Sequence, residues 1–300
     1  MDSDLCLGII IAAVLIFIIG LILLIKLGKE WYTDDINEID KLGSIIYTIF
    51  MGLFLYGIVK LDNTNFFVLI ISFVFLFIFL KVEKNKKHPV YNLKLLKNFK
   101  YVLGNYSAFV MYFMTFIASY ILNFFLQNAL GYDARLTGLF LLATPLAVVF
   151  VSSFAGKLSD KRDERIISSI ALTFILVNVV LLFFMDCVPV YVLLIACVLQ
   201  GIGHGLFSSP NNRFVLTLVD QKDLSDASTI LSTSKDVGKS MSLSLFSITC
   251  GFVLGASNSL ESNIPLFITS SKIMLIIVIF LGISSIILLL LNKIKNPYDA

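Results

Sequence analysis

Lys235, Asp236 and Lys239 fall inside a stretch, 228–254, that is otherwise long and uncharged enough to cross a bilayer. A charge at mid-membrane costs roughly 2.5–3.5 kcal/mol on insertion scales, so such residues usually face a bundle interior or a watery cavity. On a helix Asp236 and Lys239 are neighbours and can pair. Around them Ser225, Ser228, Ser232, Ser240, Ser244 and Ser247 recur every three or four residues as a polar stripe. Two readings fit: the wall of a cytoplasmic half-cavity, or tight helix packing with the lysines snorkelling to the membrane face. Upstream, Gln200-Gly-Ile-Gly-His204-Gly places Gly201, Gly203 and Gly205 where helices approach closely or bend, and Asn211 and Asn212 follow. His204 has the chemistry of a proton shuttle near neutral pH, or packs as a hydrogen-bonded histidine. Asn105, Tyr106, Tyr112, Asn123 and Gln127 give one further helix polar positions that face a cavity or bond across to neighbours. Gly251 and Gly255 form a small-xxx-small pair, read as packing.

The elements that position these residues must be membrane helices. The 300 residues are 58% hydrophobic and 14% charged, with a mean hydropathy of +0.94, far outside the range of soluble domains. Runs able to cross about 30 Å of hydrocarbon occur at about 5–27, 42–60, 66–82, 101–126, 136–155, 166–185, 188–208, 228–254 and 273–291. The expected fold is all-α and polytopic, with about nine transmembrane helices. Cys6, Cys187, Cys197 and Cys250 stand far apart, which suggests neither a disulfide framework nor a thiolate metal site. No cofactor or metal is expected.

Lys and Arg accumulate in cytoplasmic loops, which orients the helices. With the loop after the first span inside, that side collects Lys26, Lys29, Lys41, the seven lysines from Lys81 to Lys100, Lys157, Lys161, Arg162, Arg165, Arg213, Lys222, Lys293 and Lys295. The other side holds Lys60, Arg135 and Lys272. The amino terminus is therefore expected outside and the carboxyl terminus in the cytoplasm of a plasma-membrane protein. Topology accounts for the lysines, so nucleic-acid binding has no support.

The densest charge cluster, "GKLSDKRDER" at 156–165, lies in a short cytoplasmic loop. A solvated positive-inside loop is one reading. Gly156 also suits a close approach of two helix ends, and Asp160 suits capping of the next helix or pairing with a cation. The run resembles the cytoplasmic loop motif of the major facilitator superfamily, carried by Gly156, Leu158, Ser159, Asp160, Lys161 and Arg165, with Asp163 and Glu164 where the usual pattern has Gly and Arg. "HPVYNLKLLKNFKYVLGN" at 88–105, "FLQNALGYDARLTGLFLLATPLAVVF" at 125–150 with Pro145, and "LQGIGHGLFSSPNNRFVLTLVDQKDLSDASTILSTSKDVGKSMSLSLF" at 199–246 resemble, in order, segments of its fourteen-helix drug:proton antiporter branch.

The resemblance implies that the nine helices correspond to the sixth to fourteenth of that branch. Residues 1–30 would be the last helix of a first bundle, 31–98 two central helices with a basic linker, and 99–296 a six-helix carboxyl-terminal bundle. It implies proton-coupled efflux of drugs or other small molecules by alternating access, in an amino-terminally truncated form inactive alone, with the loop motif acting as a gate. The expected partners are a small-molecule substrate, the lipid bilayer and a separately encoded amino-terminal half. Asp236 is the one carboxylate in the middle of a helix, so by resemblance the protonatable carboxylate belongs to the half without a counterpart here. A membrane assembly subunit or a gene remnant is the alternative. An enzyme is not expected: there is no H-E-x-x-H, Walker loop or serine-nucleophile motif.

Overall fold

The computed structural model describes residues 41–59, 63–83, 93–159, 162–254 and 263–291, with positions 18, 20 and 22. The chain divides into two units, 1–39 and 40–300. In the first, only the three isolated positions are described, all helical, so the span expected at 5–27 lies largely outside the described residues.

Among the described residues every regular element is helical. The second unit runs α1 (Lys41–Val59), α2 (Asn63–Glu83), a 3-10 turn, α3 (Phe99–Phe124), α4 (Ala134–Leu141), α5 (Ala143–Ser159), α6 (Glu164–Phe183), α7 (Val190–Leu216), a second 3-10 turn, α8 (Leu224–Leu254) and α9 (Ile264–Leu291). Five segments are long and apolar enough to cross a membrane by length and composition: Phe99–Ala129, Ala134–Ser159, Glu164–Phe183, Val190–Leu216 and Ile264–Leu291. The chain is an all-α, multi-pass membrane protein.

Short polar signals start and stop these helices. Asn98 caps α3 by accepting from the backbone N–H groups of Lys100 and Tyr101. At its other end α3 passes into a π turn, Phe125–Ala129, and Gly131 takes a φ of 70°, a left-handed value that favours glycine. Asp133 then caps α4, accepting from Leu136 N–H at 2.7 Å. The L-Q-x-x-L-G-Y-D run is thus one helix-to-helix corner. Pro145 has no N–H for the Leu141 carbonyl, and the helix breaks there, at Leu142, between α4 and α5.

Three of the boundaries that differ from the sequence expectation have a local reason. α7 continues to Leu216 rather than ending at 208, with Pro210 inside it; neighbouring helices in a bundle can tolerate the lost backbone bond. α9 begins at Ile264 rather than 273, because Lys272 pairs with Asp186 at 2.8 Å instead of marking a loop. α8 begins four residues early, at Leu224, so its first turns are polar.

α3 is the central helix: 61% of its most apolar window is buried, against 6% for the α4–α5 span. α3 packs on α8, α9 and α7; α7 packs between α5 and α6; α1 pairs with α2 and touches α8. Tyr101, Met111, Phe113, Ile117, Leu172, Phe207 and Met274 are buried in one continuous core. Lipid tails are as apolar as leucine, so this core is held by close packing and interhelical hydrogen bonds rather than by exclusion of water.

Candidate functional site

Tyr112 is the hub of the polar residues in the bundle. It projects from α3, and the rings of Tyr112 and His204 of α7 meet edge-to-face with centroids 5.4 Å apart. The His204 Nε2 lies 3.5 Å from the Tyr112 hydroxyl. From α8, the ammonium groups of Lys235 and Lys239 stand 5.5 and 5.2 Å from the Tyr112 ring centroid, within cation–π range. Lys235 Nζ donates to Asn212 Oδ1 at 2.8 Å, and Lys239 Nζ to Asp236 Oδ1 at 2.9 Å. The i,i+3 pair read from sequence is therefore formed, with Asp236 largely exposed. Tyr112, His204, Asn212, Ser208 and Ser152 line a cleft of about 650 Å³. Sequence reasoning named both lysines and His204 but treated Tyr112 as one of several polar positions on its helix.

Other candidate residues lie outside this cleft. Gln200 is buried and donates through Nε2 to the Thr115 carbonyl at 3.0 Å and the Ser119 hydroxyl at 2.7 Å. Its Oε1 accepts from Asn178 at 3.4 Å, so one amide joins α3, α6 and α7. Asn105 is buried, donates to the Tyr101 carbonyl at 2.9 Å and accepts from Ser234. The Tyr106 hydroxyl lies 2.7 Å from Ser284 Oγ on α9. Asn123 accepts from Gln127 at 2.7 Å on its own helix. These residues satisfy the bond-to-a-neighbour reading. Asn211 is fully buried, and neither amide atom has a hydrogen-bond partner among the described residues. Ser232 is exposed.

Of the serine stripe, Ser244 bonds the Ser240 carbonyl of its own helix, just as Ser234 and Ser242, outside the stripe, bond the Ile230 and Lys239 carbonyls. Ser240, Ser244 and Ser247 line a separate pocket of about 310 Å³ with Leu55, Tyr120 and Phe246.

The glycines of α7 are contact points rather than a hinge. A Cβ on Gly201 would lie 2.4 Å from the Thr144 carbonyl oxygen of α5, and one on Gly203 would lie 2.6 Å from Ile175 of α6. Gly205 would meet Val151 at 3.1 Å. Among the described residues, a Cβ on Gly156 or Gly251 meets nothing within 4 Å. Both sit on helix faces without a described neighbour, and Gly255 lies outside the described residues, as do Asp160 and Lys161.

The rest of the loop has a defined geometry. Asp163 caps α6: its Oδ1 accepts from Arg165 N–H at 2.9 Å and Arg165 Nε at 3.0 Å, while Oδ2 meets Arg165 Nη2. Partial burial alone would raise the Asp163 carboxyl, but these hydrogen bonds hold it below its ordinary value. Glu164 pairs with Arg213 of α7 at 3.2 Å, and Arg213 Nη1 donates to the Ser159 carbonyl at the end of α5, also 3.2 Å. Of the two residues that depart from the usual motif, Asp163 thus caps its own helix and Glu164, through Arg213, ties this end of three helices together. Ser159 is buried and Leu158 exposed.

Comparison with known proteins matches residues 39–243 to the family model described as Major Facilitator Superfamily. The riboflavin transporter RibZ of Clostridioides difficile is 25% identical over 257 residues, which is 85% of this chain and 56% of that protein. The multidrug resistance protein Stp of Mycobacterium tuberculosis is 23% identical over 245 residues, 79% of this chain and 45% of that protein. An uncharacterized transporter of Escherichia coli, YebQ, is 30% identical over 128 residues, 42% of this chain and 28% of that protein. The chain spans about half the length of the first two relatives.

Proposed function

Because this chain belongs to the major facilitator superfamily, we propose that it acts as the carboxyl-terminal part of a proton-coupled transporter exporting drugs or other small molecules from the cell. The observation that carries the reading is the cleft lined by Tyr112, His204 and Asn212, whose Tyr112 ring and Asn212 amide are met from α8 by Lys235 and, at the ring, Lys239. Polar groups that are costly in a bilayer persist where they line a path for solute. The names of the relatives, a riboflavin transporter and a multidrug resistance protein, agree with a small organic substrate.

In this reading the nine helices correspond to the sixth to fourteenth of a fourteen-helix antiporter in the plasma membrane, with the 156–165 loop cytoplasmic. A first bundle, encoded separately or upstream, supplies the opposing wall, and the two rock about the midplane site. The Glu164–Arg213–Ser159 stitch keeps the cytoplasmic ends of α5, α6 and α7 moving as one body. The protonatable carboxylate of the coupling step lies in the first bundle, with His204 as the titrating group of this one.

Everted vesicles test the reading. Uptake of ethidium and, separately, of carboxyfluorescein, driven by an imposed pH gradient, is measured for this chain alone and for the chain joined to a preceding five-helix segment encoded in frame upstream. Gradient-dependent uptake by the joined form and none by the chain alone is the expected result. No uptake by a joined form present at normal membrane level, or the absence of any such segment, would favour an assembly subunit or a gene remnant instead.

A further inference from the structure

We propose that the cleft at Tyr112 is a binding subsite for an organic anion, and that it takes an amphipathic molecule whose apolar end lies against Tyr120 and Phe246. The inference deepens the transport reading and shares with it the assumption that solute reaches this cleft.

Charge is the first argument. Two ammonium groups, Lys235 and Lys239, stand over one aromatic ring, and one carboxylate, Asp236, answers them. Among the described residues Lys235 is met by an amide oxygen, that of Asn212, rather than by a carboxylate. Asp236 is the more exposed partner of its pair, 63% against 38% for Lys239, so much of its charge is solvated rather than spent on the cleft. His204 adds a further nitrogen on the opposite wall. A net positive cluster, with Lys235 half-buried against Asn212, favours a ligand of opposite sign, which gains charge-assisted hydrogen bonds from the lysines. A cationic drug would meet repulsion from both.

Shape is the second argument. Ser240, next in sequence to Lys239, begins the pocket of about 310 Å³ lined also by Leu55, Tyr120, Leu243, Phe246 and Cys250. Tyr120 and Phe246 close one wall of it edge-to-face at 5.7 Å. From Tyr112 to Tyr120 along α3, and from Lys239 to Ser247 along α8, is eight residues, a rise of about 12 Å. Along the helix axes the cationic and aromatic groups are thus separated by about the length of a small amphipathic anion.

Fluorescence anisotropy of 6-carboxyfluorescein, a soluble aromatic anion, on the purified full chain in maltoside micelles tests this, with rhodamine 6G as the cationic counterpart. Saturable binding of the anion is expected, weakened about tenfold in K235Q/K239Q, with K235R/K239R within about threefold of the unmodified chain. The arginine variant guards against a misfolded bundle, since it keeps the charges in the same positions. Equal affinity of the unmodified and K235Q/K239Q chains, or tighter binding of rhodamine 6G, would overturn the proposal. So would loss of the fluorescein signal on adding phosphatidylglycerol but not phosphatidylcholine, which would assign the charge to a lipid headgroup. Anion binding does not require transport, so a chain that binds carboxyfluorescein while its joined form shows no uptake in vesicles would remove the transport function and leave the subsite.

Discussion

Glu164 of α6 and Arg213 of α7 meet at 3.2 Å, and the same guanidinium reaches the Ser159 carbonyl at the last turn of α5. A backbone carbonyl at a helix end lacks an intrahelical donor, so one arginine satisfies it while neutralising the first residue of the next helix. Both side chains are partly exposed, which limits the pair to about 0.5–1 kcal/mol. E164Q and R213Q should each lower thermal stability of the purified chain slightly. The double variant should cost less than the two single losses added together, as read in a double-mutant cycle of melting curves. Strictly additive losses would mean that the two side chains do not interact in the membrane protein.

Gln200 distinguishes a structural amide from a substrate ligand. Replacing it with leucine removes its bonds to the Thr115 carbonyl, the half-buried Ser119 hydroxyl and the buried Asn178 amide. A loss of about 1–3 kcal/mol per unsatisfied buried group is expected, seen as earlier unfolding in a denaturant titration. Unchanged stability with altered binding of carboxyfluorescein would return Gln200 to the cleft.

The glycine seam gives a graded series. G201A places a methyl group 2.4 Å from a backbone oxygen that cannot swing aside, and should destabilise by about 1–3 kcal/mol. G156A and G251A enter open space and should change stability by less than about 0.5 kcal/mol, with a small gain from helix propensity. Melting temperatures of the three variants in one detergent check the ranking.

Much of this arrangement was legible in the sequence, and the limits have physical causes. The hydropathy runs mark α1 to α3, α6 to α9 and, as a single span, α4 with α5, because each helix must offer apolar surface to lipid or to its neighbours; Phe154 and Phe280, both exposed, show how directly. The break at Leu142 does not follow from hydropathy, and the span at 5–27 lies largely outside the described residues. The Asp236–Lys239 pair followed from helical spacing alone. The role of Tyr112 did not follow, because its partners come from α7 and α8, about 90 and 120 residues away, and nothing local marks which face of α3 meets them. Asp163 and Glu164 were visible as departures from a pattern, yet their compensating contacts with Arg165 and Arg213 depend on how three helix ends converge. Gly238 went unremarked among polar neighbours, although its Cβ would lie 2.5 Å from the Phe109 carbonyl oxygen where α8 crosses α3.

Asp186, outside the spanning segments, links pH to the docking of α9. The Lys272 ammonium donates to it at 2.8 Å and holds its carboxyl below the ordinary value of 3.8. A carboxylate whose folded pKa is depressed contributes stability above its unfolded pKa, and that contribution is lost as pH falls through the folded value. The contact should therefore be fully formed at neutral pH and weaken only below 3.8. An NMR titration of the carboxyl carbon should place the midpoint below 3.8, and Lys272→Met should move it upward. A midpoint unchanged by the substitution would mean that Lys272 does not reach Asp186.

Asn211 is the buried group for which the fold provides least. Its side chain has no exposed surface, both amide atoms lack a hydrogen-bond partner among the described residues, and it follows Pro210, which leaves the Leu206 carbonyl without its helical donor. An unsatisfied buried amide costs about 1–3 kcal/mol, whereas an apolar residue of similar volume carries no such penalty. Asn211→Leu should therefore raise the melting temperature, while Asn211→Ala should lower it by opening a cavity. The opposite order, with leucine destabilising more than alanine, would show that the amide is bonded to something the helices themselves do not supply. A buried water beside the free carbonyl would be the first group to look for, by its loss of a slowly exchanging signal in the leucine variant.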